Sequence, residues 1–264
     1  MKLNLFDTHI HFFDSRYQQN TLWTSDYLIN LGNEQGIKFF CNVGVDLTTS
    51  KQALATAQKH RGVFAACGYH PTMVNDWNQD SETELIKLLQ DPRMVAIGEI
   101  GLDFYHKYTS VTMQKEILHK QLLLAQRLKK PVLLHIRNAY WETWEIVAQY
   151  QVTGIVHCFS GTLEQAKLFI QKGFYISFSG VLTFTNAHSL QQIACQLPLT
   201  NLVLETDAPY LTPMPFRGQV NLPPYLSYTA QKLADLKGIT YQEVVNQTTQ
   251  NALQLFQISS TFSN

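Results

Sequence analysis

Eight short runs of β-forming, mostly apolar residues recur along the chain, and most are followed by a segment with helical spacing. These runs predict strands at residues 3–11, 37–44, 62–70, 94–102, 130–136, 153–159, 173–180 and 201–207. Most of the runs are too continuously apolar for a sheet with one face in water, whereas parallel strands covered by helices have this pattern. The sequence therefore predicts an alternation of parallel strands and helices.

The segments between these strands have the spacing of amphipathic helices. They lie at residues 48–60, 81–91, 114–130, 142–150 and 162–173, and two more at 225–238 and 240–256 would complete an outer layer. Several begin at a Ser or Thr in a helix-capping position. Eight such repeats favour a closed (β/α)8 TIM barrel over an open sheet, whose edge strands would need protection. We expect one barrel domain over residues 1–258, followed by a tail at 259–264.

The overall charge provides no long-range attraction for a polyanion. The chain has 264 residues, 45% of them hydrophobic, and its 20 basic residues balance its 20 acidic residues. Any nucleic acid must therefore be held by local contacts. The four cysteines are widely spaced and lie mostly in apolar runs, which is typical of reduced thiols and predicts a cytoplasmic protein. We expect neither a signal peptide, a membrane span nor an obligate protein partner, and we expect a monomer.

Histidines and carboxylates lie at or near the carboxyl ends of the predicted strands. In a parallel barrel these strand ends form the face that carries the active site. His9 and His11 are two residues apart on a strand, so their side chains point to the same side. Such a pair alone is only moderately specific, because most His-x-His pairs bind no metal. The prediction of a metal site therefore depends on the other histidines and carboxylates expected at the same barrel face.

Four imidazoles and two carboxylates would be costly to bring together without a cation among them. Imidazole and carboxylate without thiolate suit zinc, manganese, cobalt or magnesium. Six ligands exceed the needs of one ion, so we predict two divalent metal ions, bridged by a carboxylate. The predicted metal ligands are His9, His11, Glu99, His135, His157 and Asp207.

Successive motifs over nearly the whole chain resemble those of the TatD family. They are DTHIH (7–11), GYHP (68–71), GEIGLDFY (98–105), HIR (135–137), HCFSGT (157–162), SGVLTF (179–184) and LETDAPYL (204–211). The resemblance implies a metal-dependent (β/α)8 hydrolase of the amidohydrolase superfamily, in a family whose characterised members are deoxyribonucleases. It also implies that Glu99 bridges two ions, one held with His9, His11 and Asp207, the other with His135 and His157.

The predicted reaction is hydrolysis of a phosphodiester by a metal-activated water. Asp207 would accept the proton of this water, and Glu99 is the second predicted catalytic residue. One alternative is a hydrolase of small esters, amides or phosphoesters, because the same metal pair activates water for either target. The other is a non-catalytic barrel that binds metal.

Two residues are candidates for binding the substrate. Arg137 lies two residues after His135 and could clamp a phosphate, although an ion pair on the barrel rim is the alternative. His70 could face the phosphate or simply end the third strand. Asp7 and Glu205 are expected to orient ligand histidines, and the alternative for each is a buried structural carboxylate.

Other histidine and aromatic residues lie outside the predicted metal site. His106 has no evident convergent partner and is expected to be an ordinary surface or packing residue. Most aromatic residues are expected to pack in the core or against helices, but Tyr105, Trp77 and Phe184 lie in predicted loops on the same barrel face and are candidates for stacking on bases.

Overall fold

The computed structural model describes residues 4–258 of the chain, which contain all eight predicted strands. The strands are β1 (Leu5–Ile10), β2 (Ile37–Val43), β3 (Val63–Cys67), β4 (Met94–Asp103), β5 (Val132–Arg137), β6 (Gly154–Val156), β7 (Tyr175–Phe178) and β8 (Leu202–Leu204). They form one sheet in sequence order. A parallel bridge between Ile10 and Ala208 joins the region after β8 to the end of β1. The predicted (β/α)8 TIM barrel is confirmed.

Helices separate the strands along the chain. They are α1 (Ser15–Gln18), α2 (Ser25–Glu34), α3 (Leu47–Lys59), α4 (Ser81–Leu89), α5 (Val111–Leu128), α6 (Tyr140–Val147), α7 (Leu163–Gln171), α8 (His188–Gln196), α9 (Leu226–Lys237) and α10 (Tyr241–Leu255). The predicted caps are present at Thr162 of α7 and Thr240 of α10, each with a reciprocal bond from the third helical residue. Within residues 4–258, no helix is both long enough and apolar enough to cross a membrane.

Helix α2 was not among the predicted helices, and its sequence explains why. It contains Gly32, a weak helix former. A Cβ atom at this position would lie 2.7 Å from the ring of Phe40 in β2, so the glycine allows close helix–strand packing. Tertiary packing thus overrides the low helix propensity of this segment.

The chain forms two compact units, each of which contains part of the sheet. Within the described residues, the first comprises 4–42, 60–63 and 177–258, and the second comprises 43–59 and 64–176. In the first unit β1 pairs with β2 in parallel. In the second unit β3, β4, β5 and β6 form a continuous parallel ladder. The prediction of a single domain over residues 1–258 stays a prediction, and the tail at 259–264 lies outside the described residues.

Candidate metal centre

In the first unit, two histidines and one carboxylate converge at the end of β1. His9 Nε2 lies 3.2 Å from His11 Nε2. Asp207 Oδ1 lies 3.9 Å from His9 Nε2 and 3.5 Å from His11 Nε2. We call these three residues the His9 cluster. All three are predicted metal ligands, and the two imidazoles are buried.

The backbone after β8 brings Asp207 to this position. The Asp207 N–H donates to the His9 carbonyl at 2.9 Å, and the His11 N–H donates to the Ala208 carbonyl at 2.9 Å. Asp207 adopts a left-handed conformation with φ of 54°. Asp and Asn tolerate this region better than most residues with a side chain. The backbone is thus fixed so that the carboxylate points at the two imidazoles.

Asp7 in β1 also joins β1 to the segment after β8, through hydrogen bonds with Thr206. Its Oδ1 accepts from the Thr206 N–H at 2.9 Å, and its Oδ2 accepts from the Thr206 hydroxyl at 2.6 Å. Burial raises the pKa of Asp7 to about 7, although the bonds from Thr206 oppose this shift. The predicted contact of Asp7 with a histidine ring is wrong: it bonds Thr206 and, weakly, the His9 backbone N–H at 3.4 Å. Glu205 is fully buried, and its predicted role stays a prediction.

In the second unit, three imidazoles surround one carboxylate oxygen of Glu99. Glu99 Oε1 lies 2.8 Å from His135 Nδ1, 3.7 Å from His157 Nε2 and 3.6 Å from His70 Nε2. Glu99 lies in β4, His135 in β5, and His157 directly after β6. We call these four residues the Glu99 cluster. It contains three of the predicted metal ligands.

His70 belongs to this cluster because of the turn that follows β3. It is the N-cap of a 3-10 helix, Pro71–Asp76, and its Nδ1 accepts from the Thr72 N–H at 3.1 Å. This bond leaves Nε2 to face Glu99. The prediction that His70 ends strand 3 is wrong, because β3 stops at Cys67. Its role in binding substrate stays a prediction, and its position also makes it a possible metal ligand.

Asp103 is a buried carboxylate in contact with the Glu99 cluster that the sequence analysis did not single out. Its Oδ2 lies 3.2 Å from His135 Nε2 and 2.8 Å from His106 Nδ1. Burial alone would raise the pKa of Asp103, but hydrogen bonds with His135 and His106 outweigh it and hold the pKa well below its usual range. The spacing in β4 could have revealed it, because Glu99 and Asp103 are an even number of residues apart.

His135 thus contacts a carboxylate through each ring nitrogen. Desolvation lowers the pKa of His135, but its hydrogen bonds with Asp103 and Glu99 outweigh this and raise the pKa above its ordinary value. Metal-binding histidines commonly have this arrangement, with one nitrogen on the ion and the other on a carboxylate.

Two residues near this cluster differ from their predicted environments. His106, expected to have no convergent partner, bonds Asp103, so that expectation is wrong. Arg137 is exposed, and its guanidinium carbon lies 4.1 Å from the centroid of the Tyr105 ring. The Arg137 guanidinium stacks on Tyr105 rather than forming the alternative ion pair. Its role in substrate binding stays a prediction.

The donor atoms of both clusters fit divalent cations. Nitrogen and oxygen ligands of a tetrahedral zinc ion lie about 2.0–2.2 Å from the ion, and hence roughly 3.3–3.5 Å from one another. The separations in the His9 cluster, 3.2–3.9 Å, bracket this spacing. In the Glu99 cluster one carboxylate oxygen is within 4 Å of three imidazole nitrogens. Neither cluster contains a thiolate, which favours the metals predicted from the sequence.

Similar solved structures define the class of protein. The structure of YjjV, a TatD homologue from Escherichia coli, has a TM-score of 0.89 and 28% sequence identity, covering 98% of this chain and 100% of that chain. An organophosphorus hydrolase mutant from Deinococcus radiodurans, with a TM-score of 0.62 and 12% identity over 97% of this chain and 93% of that chain, shares the fold alone. The class is that of the (β/α)8 barrels of TatD homologues.

Sequence comparison then gives the family. The family model described as TatD related DNase matches residues 6–257. A metal-dependent hydrolase of Bacillus subtilis, YabD, is 34% identical, with 97% of this chain and 100% of the relative covered. A protein of Erwinia tasmaniensis named 3'-5' ssDNA/RNA exonuclease TatD is 29% identical, with 96% and 100% covered. This chain belongs to the TatD family and is a metal-dependent hydrolase.

Proposed function

We propose that the chain is a divalent-metal-dependent phosphodiesterase that cleaves single-stranded nucleic acid, as a deoxyribonuclease of the TatD type. The family description and the name of the Erwinia relative support this substrate. The observation that carries the proposal is the convergence of three imidazole nitrogens on one oxygen of Glu99. Such a donor set, without thiolate, suits a hydrolytic metal site.

We propose two ions, drawn from zinc, manganese, cobalt and magnesium. His9, His11 and Asp207 would hold one, His135 and His157 the other, and Glu99 would contribute to both. A divalent ion at such a site polarises a phosphoryl oxygen and lowers the pKa of a bound water from about 15.7 to about 7. The distances within each cluster support this ligand set.

The remaining roles follow from the positions of individual atoms. Asp207 would accept a proton from the attacking water, because its carboxylate lies beside the imidazoles of the His9 cluster. Glu99 would keep the imidazoles of its own cluster oriented through Oε1. His70 would donate to a substrate phosphate through Nε2, because Thr72 holds Nδ1. Arg137 would contact a phosphate through the exposed edge of its guanidinium.

The test is hydrolysis by metal-stripped protein reloaded with each candidate metal in turn. The substrates are a fluorescently labelled single-stranded DNA oligonucleotide and a panel of small esters, amides and phosphoesters. We expect metal-dependent shortening of the oligonucleotide, and loss of this activity in Asp207→Ala and Glu99→Gln. Asp80→Asn is the matched control, because Asp80 is exposed and its side chain makes no capping bond.

Two results would contradict the proposal. Cleavage of small esters or amides with an intact oligonucleotide would identify a small-molecule hydrolase instead. Nuclease activity of equal size in Asp207→Ala would trace the cleavage to a contaminant.

We also propose a cytoplasmic location and a monomeric state. Cys41, Cys67 and Cys195 form no disulfide, which fits a reducing compartment. Sedimentation of the purified chain measures the second property.

A further inference from the structure

The loop that follows β4, residues 104–110, presents two tyrosines to solvent. Tyr105 is 57% exposed and Tyr108 is 72% exposed. Two cationic side chains, Lys107 in the loop and Arg137 at the end of β5, are also exposed. Two exposed aromatic rings and two exposed cationic residues therefore belong to this loop and the adjacent end of β5.

The rings of this loop form a continuous series. The Arg137 guanidinium lies over the Tyr105 ring, with 4.1 Å between its central carbon and the ring centroid. The centroids of Tyr105 and His106 are 4.9 Å apart, with the rings edge to face. Those of His106 and Tyr108 are 5.5 Å apart, with the ring planes within 12° of parallel. Each group in this series, from the guanidinium to the last ring, is therefore in contact with the next.

Hydrogen bonds to the buried Asp103 carboxylate and to the Pro71 carbonyl hold the loop in this conformation. Asp103 Oδ1 accepts from the Tyr105 N–H at 2.9 Å and from the His106 N–H at 2.8 Å. Farther along, the Thr109 hydroxyl donates to the Pro71 carbonyl at 2.7 Å. The loop is thus anchored on both sides of Tyr108. Because the backbone is already ordered, a ligand that bound to the rings would lose little affinity to loop ordering.

The series of rings begins at the Glu99 cluster. Asp103 Oδ2, which bonds His106, also lies 3.2 Å from His135 Nε2. One buried carboxylate therefore contacts both the loop and a proposed metal ligand. A polymer lying on the rings would run toward the proposed site of hydrolysis.

We infer that Tyr105 and Tyr108 stack on the bases of single-stranded DNA while Arg137 and Lys107 contact its phosphates. Stacking on aromatic side chains beside cations is the general mode of sequence-independent single-strand binding. The net charge of zero makes such local contacts necessary. A duplex would not fit, because its bases are already stacked on one another. The inference deepens the proposed function and rests on it for the choice of DNA as the polymer.

The first experiment measures DNA binding by the full, metal-loaded chain. Fluorescence anisotropy gives the Kd for a labelled single-stranded oligonucleotide with hydrolysis-resistant phosphorothioate linkages. We expect Tyr105→Ala and Tyr108→Ala each to raise the Kd roughly 5- to 100-fold, the usual range for loss of one stacked base. Tyr105→Phe and Tyr108→Phe should bind within about 2-fold of the wild-type chain, because a phenyl ring still stacks. Tyr27→Ala is the matched control, since Tyr27 in α2 is 45% exposed.

A second measurement separates bases from phosphates. Abasic sites in the oligonucleotide should weaken binding to the wild-type chain and have much less effect on Tyr105→Ala. The log of the binding constant falls as the log of the salt concentration rises. Arg137→Gln should make this negative slope shallower by about 0.7, the value for one phosphate contact on a single strand. Thermal unfolding of each variant verifies that it is folded.

Several outcomes would overturn the inference. These are alanine variants that bind as tightly as the wild-type chain, phenylalanine variants that bind as weakly as the alanine variants, or tighter binding of duplex DNA or of single-stranded RNA. Cleavage of DNA with an unchanged KM in both alanine variants would remove the stacking role and leave the proposed function intact. Tyrosine-dependent binding without hydrolysis of any phosphodiester would support the stacking role and contradict the proposed function.

Discussion

Asp103 Oδ2 lies 3.2 Å from His135 Nε2, while the other nitrogen of the same ring, Nδ1, lies 2.8 Å from Glu99 Oε1. A carboxylate on the far side of a ligand histidine fixes the ring orientation and increases its basicity. Asp103 is therefore placed to act on metal binding through His135.

Replacing Asp103 by Asn should weaken metal binding. Outer carboxylates of this kind typically contribute about 10- to 100-fold to metal affinity, so we expect the Kd for a divalent metal to rise by such a factor in Asp103→Asn. Competition with a chromophoric chelator measures this Kd. Asp80→Asn, on the exposed surface, should bind metal as the wild-type chain does. Equal metal affinity in Asp103→Asn would show that the carboxylate serves only to hold its loop.

The bonds between Asp7 and Thr206 predict a specific effect on stability. The Thr206 hydroxyl donates to Asp7 Oδ2 at 2.6 Å, and both residues are buried. Thr206→Val retains the shape but removes the bond to Asp7 and the bond that the Thr206 hydroxyl accepts from the Ala208 N–H. We expect the free energy of unfolding of the metal-free chain to fall by about 1.5–3 kcal/mol, measured by urea denaturation. Thr48→Val, at an exposed position in α3, should change it by less than about 0.5 kcal/mol.

The sequence predicted the strands well because their apolar runs reflect burial on both faces. It predicted the ends of the strands less well. Polar residues next to an apolar run were counted as part of the strand, although strand pairing ends before them. His157 falls inside the predicted sixth strand but directly after β6, which ends at Val156. His70 likewise falls inside the predicted third strand, yet Pro71 begins a 3-10 helix there. Strand periodicity reports burial rather than hydrogen bonding.

Contacts between distant segments could not be read from any local pattern. The bond from the Asp207 N–H to the His9 carbonyl joins residues from opposite ends of the chain. The predicted barrel placed both residues at one face, but this bond between them is visible only in the structure. For Arg137, alternation along β5 cannot reveal that the Tyr105 ring, from another loop, lies against the guanidinium.

The cysteines should differ in reactivity with a thiol reagent. Burial raises the pKa of the Cys41 and Cys67 thiols well above their usual range, so neither forms an appreciable thiolate in the folded chain. Cys195 is exposed and Cys158 is half-buried. We expect an aromatic disulfide reagent to modify Cys195 first and to reach Cys41 and Cys67 only after unfolding, as followed by absorbance and mass spectrometry. If Cys41 or Cys67 were modified rapidly in the folded Cys195→Ser variant, that result would contradict their burial.

Asp207 combines a backbone requirement with a proposed chemical role, and two substitutions separate them. Its φ of 54° suits Asn but costs Ala about 1–2 kcal/mol. Asp207→Asn should therefore unfold with nearly the free energy of the wild-type metal-free chain, whereas Asp207→Ala should be less stable by about that amount. Both should lower kcat by roughly 10²- to 10⁴-fold, because neither side chain can accept the proton of the attacking water. Urea denaturation and initial rates on the DNA oligonucleotide measure the two effects. If Asp207→Asn kept the wild-type kcat, the carboxylate would hold only the backbone turn, and the proton would have to pass to another group.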